Sequence, residues 1–477
     1  MADIKRDYFL TKTDFKTFLE CPMHLWAKVH GQMDLTLSPM AQGLIRQGYE
    51  VEQLAQTYLW NFVVCRQGGE RIISQGTFID GQFSTRVDAL IYLSQANSCD
   101  LYEIKSSTSV DKEDYWDGAF QYVILKEHLN MRHIYLLHLN HEYTLGETLD
   151  LPGLFLAEDV TEEVQRYAEN ALDLREQALR VAAAQEPKGV EHCYSPKDCP
   201  CPKLCHPNLP EFSIYDIPGL RTPKKQSLEV MGILEAARIP QDFPLNEKQF
   251  QFVKMVKKRA CVVDQEGIGR ELEKLLFPLY FLDYETYMPA IPLFPGYHPH
   301  QSLVFQYSLH QLDAPDGRLT HTEHVCTTKC EPSLGLLEKL SHEIGGSGTV
   351  LVWNKVFEKG RNAEMMKIHP EYGRFLEDLN DRIYDLGDFF SKGYYQHPDF
   401  KGSWSIKRVL PVMVPSLSYD ALDIHEGGQA SEDWWRMVYG GTAAPEKENI
   451  TSCLLKYCEM DSLAMVEIYR RLVEISQ

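Results

Sequence analysis

The 477 residues carry 68 acidic against 48 basic side chains, a formal net charge of −20, with 44% apolar content and a mean hydropathy of −0.32. This length exceeds one ordinary core and predicts two domains with a connector, while the longest apolar stretch, Leu275–Leu282 with Pro278 inside it, is far too short for a membrane span. The acidic balance argues against a simple nucleic-acid-coating protein, though not against a nuclease, whose site is itself a nest of carboxylates that bound metals neutralise.

The Met1–Asp7 start has no apolar export core, which predicts a cytoplasmic protein. Thr11 to about Tyr58 has helical apolar spacing interrupted by Gly43 and Gly48. Thr77 to Ser106 reads as strand, turn and strand, with the turn cluster at Ser94–Ser98 and a return strand over Asp100–Lys105. A helix over Tyr115–Asn130, a strand over Ile134–Leu139 and a long helix from Thr161 to about Ala184 follow. Residues 187–210 are rich in Cys and Pro and close the first domain, 1–210. Pro218, Pro223, Pro240 and Pro244 break the short helical patterns of a connector over 211–275, and a second α/β domain runs over 276–477. Lys224-Lys225 and Lys254 with Lys257-Lys258-Arg259 read as solvated helix faces.

The first chemical signal is Asp88 followed by Glu103-Ile104-Lys105. A turn centred near Ala96 and Asn97 sets Asp88 opposite about Lys105, and the two-residue period puts Glu103 and Lys105 on one face. Two such carboxylates suit a hard divalent ion, and the lysine suits a water or a phosphate. An exposed hairpin with an ordinary salt bridge is the bland alternative. With Gln121 on the following helix and Glu50 upstream, the pattern resembles the PD-(D/E)XK nucleases of the RecB-like branch. The resemblance implies a restriction-endonuclease-like domain with Glu50, Asp88 and Glu103 as metal ligands and Lys105 and Gln121 as catalytic residues. Glu52 is the alternative upstream acid, and Leu125 stands where the family often has tyrosine.

Twelve cysteines without an export signal do not read as a disulfide framework. Cys21 lies early, and Cys193, Cys199, Cys201 and Cys205 lie late. Four thiolates suit zinc or an iron–sulfur cubane, and a zinc knuckle of the downstream four is the simpler alternative. The early-plus-late arrangement resembles the iron–sulfur RecB-like nucleases, including the AddB type. It implies a structural 4Fe-4S cluster on Cys21, Cys193, Cys199 and Cys205 with Cys201 spare, Zn²⁺ being the alternative.

In the second domain, the apolar run Leu279–Leu282 ends in Asp283-Tyr284-Glu285, two acids on one face. Burying them without a counter-charge is costly, which points to a metal. Tyr457 and Asp461 lie one turn apart on a C-terminal helical pattern, and Glu358 follows the strand Val350–Asn354. Together these resemble the DnaQ-like, or DEDD, exonucleases of the RNase H-like fold. The resemblance implies a mixed sheet, with Asp283, Glu285, Glu358 and Asp461 holding two Mg²⁺ or Mn²⁺ ions and Tyr457 marking the tyrosine subclass. Glu358 departs from the family's aspartate, and Asp385 or Asp388 is the alternative acid. Trp434-Trp435 reads as a core pair rather than a base-stacking platform. Cys326 with Cys330, and Cys453 with Cys458, lack the pattern of a further metal site.

The combination resembles a bacterial family that fuses these two nuclease types. It implies an α/β protein that hydrolyses DNA, or RNA, trimming 3′-to-5′ at the second site, in repair or in defence against mobile DNA. Two rivals are a nucleic-acid-binding or assembly protein with inactive sites, and a single exonuclease with the first domain as a platform.

Overall fold

The computed structural model describes residues 8–65 and 71–477, so the Met1–Asp7 start read above for an export signal lies outside the described residues. Contacts divide the chain into two units, one of residues 1–207 and 289–301, the other of 208–288 and 302–477. Both are mixed α/β, and no described helix is long and apolar enough to cross a membrane.

Two boundaries differ from expectation. The 211–275 stretch groups with the second unit, because Ile214, Leu228, Ile239, Phe252 and Val256 close an apolar core there. Pro223, read as a helix breaker, sits in the first turn of the Thr222–Val230 helix, where its missing N–H is no loss. Residues 289–301 belong to the first unit: Gly296 N donates to Leu145 O at 2.8 Å, and Leu145 N donates to Tyr297 O at 3.0 Å.

In the first unit the predicted N-terminal helical region is three helices, Lys12–Glu20, Pro22–Val29 and Pro39–Tyr58, the last two each starting at a proline. The strands are β1 (Leu10–Thr11), β2 (Arg71–Ser74), β3 (Thr77–Asp80), β4 (Phe83–Arg86), β5 (Ala89–Leu93), β6 (Ser98–Ile104), β7 (Met131–Leu139) and β8 (Phe155–Asp159). The main sheet runs β2-β5-β6-β7-β8, with β6 and β7 parallel and the other neighbours antiparallel. β6 is central and buried along nearly its whole length. One core gathers Phe15, Leu101, Phe120, Ile134 and Val164; another gathers Val51, Leu59, Ile91, Tyr102, Leu137 and Phe155. Each such fully buried side chain contributes about 1.5–3 kcal/mol. The Lys112–Leu125 helix begins at a reciprocal cap between Asp111 and Asp114, which fixes the turn from which Asp117 and Gln121 project.

In the second unit the strands are β9 (Val262–Val263), β10 (Leu279–Tyr287), β11 (Leu303–Leu312), β12 (Leu319–Val325), β13 (Thr349–Val352), β14 (Ile383–Asp385) and β15 (Tyr395–Gln396). The five-stranded sheet runs β12-β11-β10-β13-β14. β10, β11 and β12 form an antiparallel meander, while β13 lies parallel to β10, and β14 parallel to β13. The Lys355–Ile368 helix leaves β13 directly, its first turn capped by Asn354. The 33-residue helix Ala444–Ser476 packs on β10 and β11, with Leu454, Tyr457, Asp461 and Ser462 among its buried residues.

Candidate active sites

In the first unit, β5 and β6 pair Ala89 with Tyr102, which carries Asp88 to the level of Glu103 rather than Lys105. The two-residue difference from the expected register comes from a turn centred one residue earlier, between Gln95 and Ala96. Ala96 N donates to Leu93 O and Asn97 N to Ser94 O, both at 3.2 Å, and Asn97 takes a left-handed conformation at φ 45°. Asp88 Oδ2 accepts from Ile104 N at 2.9 Å.

Glu103 is the hub. Its Oε1 accepts from Lys12 Nζ at 2.5 Å and lies 3.4 Å from Lys105 Nζ, and its Oε2 accepts from Gln121 Nε2 at 2.5 Å. Lys105 also bonds Asp117 and, at 3.1 Å, Asp114, and Lys16 reaches Asp117 at 3.3 Å. Burial alone would raise the Glu103 carboxyl, but Lys12 and Lys105 outweigh it and hold it below the usual range. Asp88 is driven the other way, by burial and then by Glu103, against the pull of Lys12. Asp117 Oδ1 is buried without a hydrogen-bond partner.

Asp88, Glu103, Lys105 and Gln121 therefore come together. Glu50 does not, and that assignment is corrected: it is exposed and pairs with Arg46 at 3.2 Å. Glu52 is the acid whose charge acts on Asp88, and it accepts from Gln75 and, at 3.0 Å, from Gln56. Residues two apart on a helix diverge by about 200°, so only one of the two acids can face the strand. Lys12 and Lys16, one turn apart on the first helix, were missed; their shared face is the signal that could have found them.

The cysteines gather in one cluster with two histidines. Donor atoms of Cys21, His24, Cys193 and Cys205 form one close group, and those of His24, Cys199, Cys201 and Cys205 another. Cys199 Sγ lies 3.4 Å from His24 Nε2, Cys193 Sγ lies 3.5 Å from His206 Nε2, and the Cys201 and Cys205 sulfurs are 3.7 Å apart. Cys201, expected to be spare, sits inside this cluster. The expected Cys-only set leaves out His24 and His206, which stand among the sulfurs. Met23 N donates to Glu191 O at 3.0 Å and the Trp26 side chain, through Nε1, to Ala184 O at 2.8 Å, so hydrogen bonds besides the cluster tie the Cys21 region to the segment before the late cysteines.

In the second unit Asp283 and Glu285 share the β10 face on which the long helix presents Asp461 and Tyr457. Asp283 is pushed well above its ordinary value by burial and then by Asp461, Glu285 and Glu358, so the other three carboxylates all act on it. Glu285 is raised by burial and Asp461, with Lys407 opposing. Burial raises Glu358 to about 8, and its Oε2 is buried without a hydrogen-bond partner. Asp461 is raised by burial, against the Tyr419 hydroxyl, which donates to its Oδ1 at 2.5 Å. Asp385 adds its charge to Glu358, but both competing acids have partners of their own. Asp385 accepts from the backbone of Lys355 and Gly387, each at 3.0 Å, and Asp388 pairs with Lys355 at 2.8 Å and Lys392 at 2.9 Å.

Lys407 Nζ donates to Tyr457 OH at 3.1 Å and lies over the Tyr457 and Tyr419 rings. Cys458 Sγ stands 3.5 Å from Asp283 Oδ2, and burial followed by the Asp283 charge pushes its thiol up. Lys407, Tyr419 and Cys458 were missed; only Cys458, beside Tyr457, carried a positional signal. Trp434 is core, stacked on Phe305 at 4.6 Å with its Nε1 donating to Cys326 O at 2.7 Å.

The donor chemistry fits the expected ions. Four mutually repelling carboxylates, with an orphaned buried oxygen on Glu358, suit a hard divalent cation. The thiol and imidazole set suits a zinc ion or an iron–sulfur cluster equally well.

A family model described as a domain of unknown function (DUF2779) matches residues 280–405, a stretch that holds Asp283, Glu285 and Glu358. The chain is similar to uncharacterized protein MG366 of Mycoplasma genitalium, 26% identical over 205 residues that cover 39% of this chain and 31% of that protein. It is also similar to uncharacterized protein UU173 of Ureaplasma parvum, 29% identical over 241 residues, 46% of this chain and 34% of that protein. The chain thus spans about a third of the length of these curated relatives. No solved structure matches significantly.

Proposed function

We propose that the chain is a divalent-metal-dependent nuclease whose principal centre is the carboxylate cluster of the second unit, working as a 3′-to-5′ exonuclease of the DnaQ-like, RNase H-like type on DNA or RNA. The observation that carries this reading is the convergence of Asp283, Glu285, Glu358 and Asp461 from three elements far apart in sequence, against one nearby ammonium, Lys407. Asp283, Glu285, Glu358 and Asp461 would hold Mg²⁺ or Mn²⁺, which when bound activates water and stabilises the leaving oxygen. Tyr457 accepts from Lys407 and also bonds Asp461, which holds its hydroxyl beside the acids, where it would orient a water. Tyr419 helps to fix the rotamer of Asp461 by donating to its Oδ1.

In the first unit the Asp88, Glu103, Lys105 and Gln121 set supports a PD-(D/E)XK reading, with Glu52 as the upstream acid. The cysteine cluster would then carry a 4Fe-4S cluster or Zn²⁺ that ties the ends of that unit. One observation favours a second reading, in which the first unit binds nucleic acid without cutting it: Lys12 already occupies the Glu103 oxygen that a metal would need.

The test is cleavage of end-labelled single- and double-stranded DNA and RNA by anaerobically purified protein with Mn²⁺, beside Asp283→Ala and Asp88→Ala. Loss of a ligand to the reacting metal should lower the rate by about 10³-fold, several kcal/mol of transition-state stabilisation. No cleavage by the parent sinks the enzyme reading. Loss in Asp283→Ala alone favours the binding role for the first unit, and loss of separate activities in each variant favours two working centres.

A further inference from the structure

We infer that the second unit binds single-stranded nucleic acid in an aromatic slot, stacking a base on Trp404 and meeting the adjoining phosphates with lysines of the Glu247–Lys258 helix. The slot deepens the nuclease reading, on which its role as a substrate groove rests. Lys248 and Phe252, one turn apart on that helix, form one wall. Phe390, Tyr395, Phe400 and Trp404 line the other. The cavity between them measures about 110 Å³, room for on the order of ten water-sized groups, the size of one nucleobase.

The fold sets the Trp404 wall. Lys401 and Gly402 both take the left-handed conformation, at φ 49° and 71°. A Cβ on Gly402 would stand 2.7 Å from Asp216 O, so only glycine lets this turn close against the loop before Pro218. Trp353 Nε1 donates to Trp404 O at 3.1 Å, and the Trp353 ring stacks on Phe390 at 5.6 Å. The backbone of Trp404 is thus held while its side chain is 52% exposed and stacks on no other ring among the described residues. An indole so placed suits any base, since every base has a π-face.

Charge selects the strand. The chain carries a net −20, yet among the described residues no carboxylate lines this slot. The wall helix holds Lys248, Lys254, Lys257 and Lys258, with Arg259 capping it, against Glu247 alone. On the opposite rim Lys392 shares Asp388 with Lys355. A phosphodiester backbone uses such cations and an apolar peptide does not. A duplex keeps its bases paired and stacked, out of reach of a slot one ring wide. The slot also adjoins the carboxylate cluster by chain continuity. Trp404 leads into the Ile406–Met413 helix, whose Lys407 bonds Tyr457, and Trp353 leads into the helix that carries Glu358.

The probe is a short fluorescein-labelled oligothymidylate, titrated into anaerobically purified full-length Asp283→Asn protein and followed by anisotropy. Trp404→Ala in that background should weaken binding about tenfold, and Trp404→Phe should restore most of the loss. Lys248→Gln should lower the slope of log affinity against log salt by about 0.7, the share of one phosphate contact. The strand should also quench indole fluorescence in the background protein and much less in Trp404→Ala. Val230→Ala, at an exposed position on another helix, should bind as the background does. Equal binding by Trp404→Ala and the background overturns the inference. So does absence of binding, a duplex or a mononucleotide bound as tightly as the strand, or binding indifferent to salt, the mark of an apolar partner. Cleavage by the parent with no effect of Trp404→Ala on binding removes the slot and keeps the nuclease. Binding lost in Trp404→Ala by a protein whose parent cuts nothing does the reverse.

Discussion

Glu103 in the first unit and Glu285 in the second are both buried glutamates on central strands, yet their carboxyls are driven in opposite directions. Glu103 meets Lys12 and Lys105 and is held below the ordinary range despite its burial. Glu285 meets Asp461 and Glu358 and is held well above it, with Lys407 as the opposing charge. The first unit meets its buried glutamate with two ammoniums, whereas the second meets its own with further carboxylates and one opposing ammonium, Lys407. Two clusters of similar composition are therefore balanced differently: one is neutralised from within, and the other carries the surplus of negative charge on which the proposed metal site rests.

Stability measurements can break this comparison. The largest effect belongs to Glu103→Gln, which strands Lys12 and weakens Lys105. Uncompensated buried charge costs about 3–5 kcal/mol, so the first unit should unfold at markedly lower urea. Because the folded value of Glu103 is depressed, its contribution is present above the ordinary carboxylate range and is lost as pH falls through the folded value. Glu285→Gln should act in the opposite sense, stabilising the metal-free protein by about 1–2 kcal/mol, the scale of relief at a strained functional site. The sign follows from linkage. Acids with raised folded values keep protons that the unfolded chain releases, so the metal-free second unit loses stability as pH rises from about 4 towards the value of about 8 held by Glu358. Mg²⁺ at a hundred times its dissociation constant should then stabilise the parent by about 2.7 kcal/mol and Glu285→Gln far less. A destabilised Glu285→Gln would erase the contrast.

What could be read from sequence followed the range of the interaction. The pairs Asp283 with Glu285, Glu103 with Lys105, and Tyr457 with Asp461 are set by strand and helix periods, and each lies together in the structure. The long-range partners were not legible. Lys12 reaches Glu103 across 91 positions, Tyr419 reaches Asp461 across 42, and His24 reaches Cys199 across 175. No local pattern marks such residues, because tertiary packing alone brings them in. The hairpin register differs for a smaller reason: a turn centred one residue earlier, between Gln95 and Ala96, moves Asp88 from Lys105 to Glu103. The connector failed because proline was read as a breaker where it opens a helix over a buried core.

The smallest expected effect tests the sharpest local question, which of two acids serves Asp88. Glu50 and Glu52 occupy one helix, Pro39–Tyr58, but opposite sides of it. Glu50 pairs with Arg46 one turn away on the exposed face, an arrangement that contributes about 0.3–0.5 kcal/mol. Glu50→Ala should therefore shift unfolding by no more than that and leave any cleavage assigned to the first unit unchanged. Glu52 adds negative charge at Asp88, an effect that keeps the Asp88 carboxyl raised. Glu52→Gln should lower the pH at which Asp88 titrates, read by carboxyl carbon NMR, whereas Glu50→Ala should not move it. If the two substitutions shift Asp88 equally, the helix faces are assigned wrongly, and the first site loses its upstream acid.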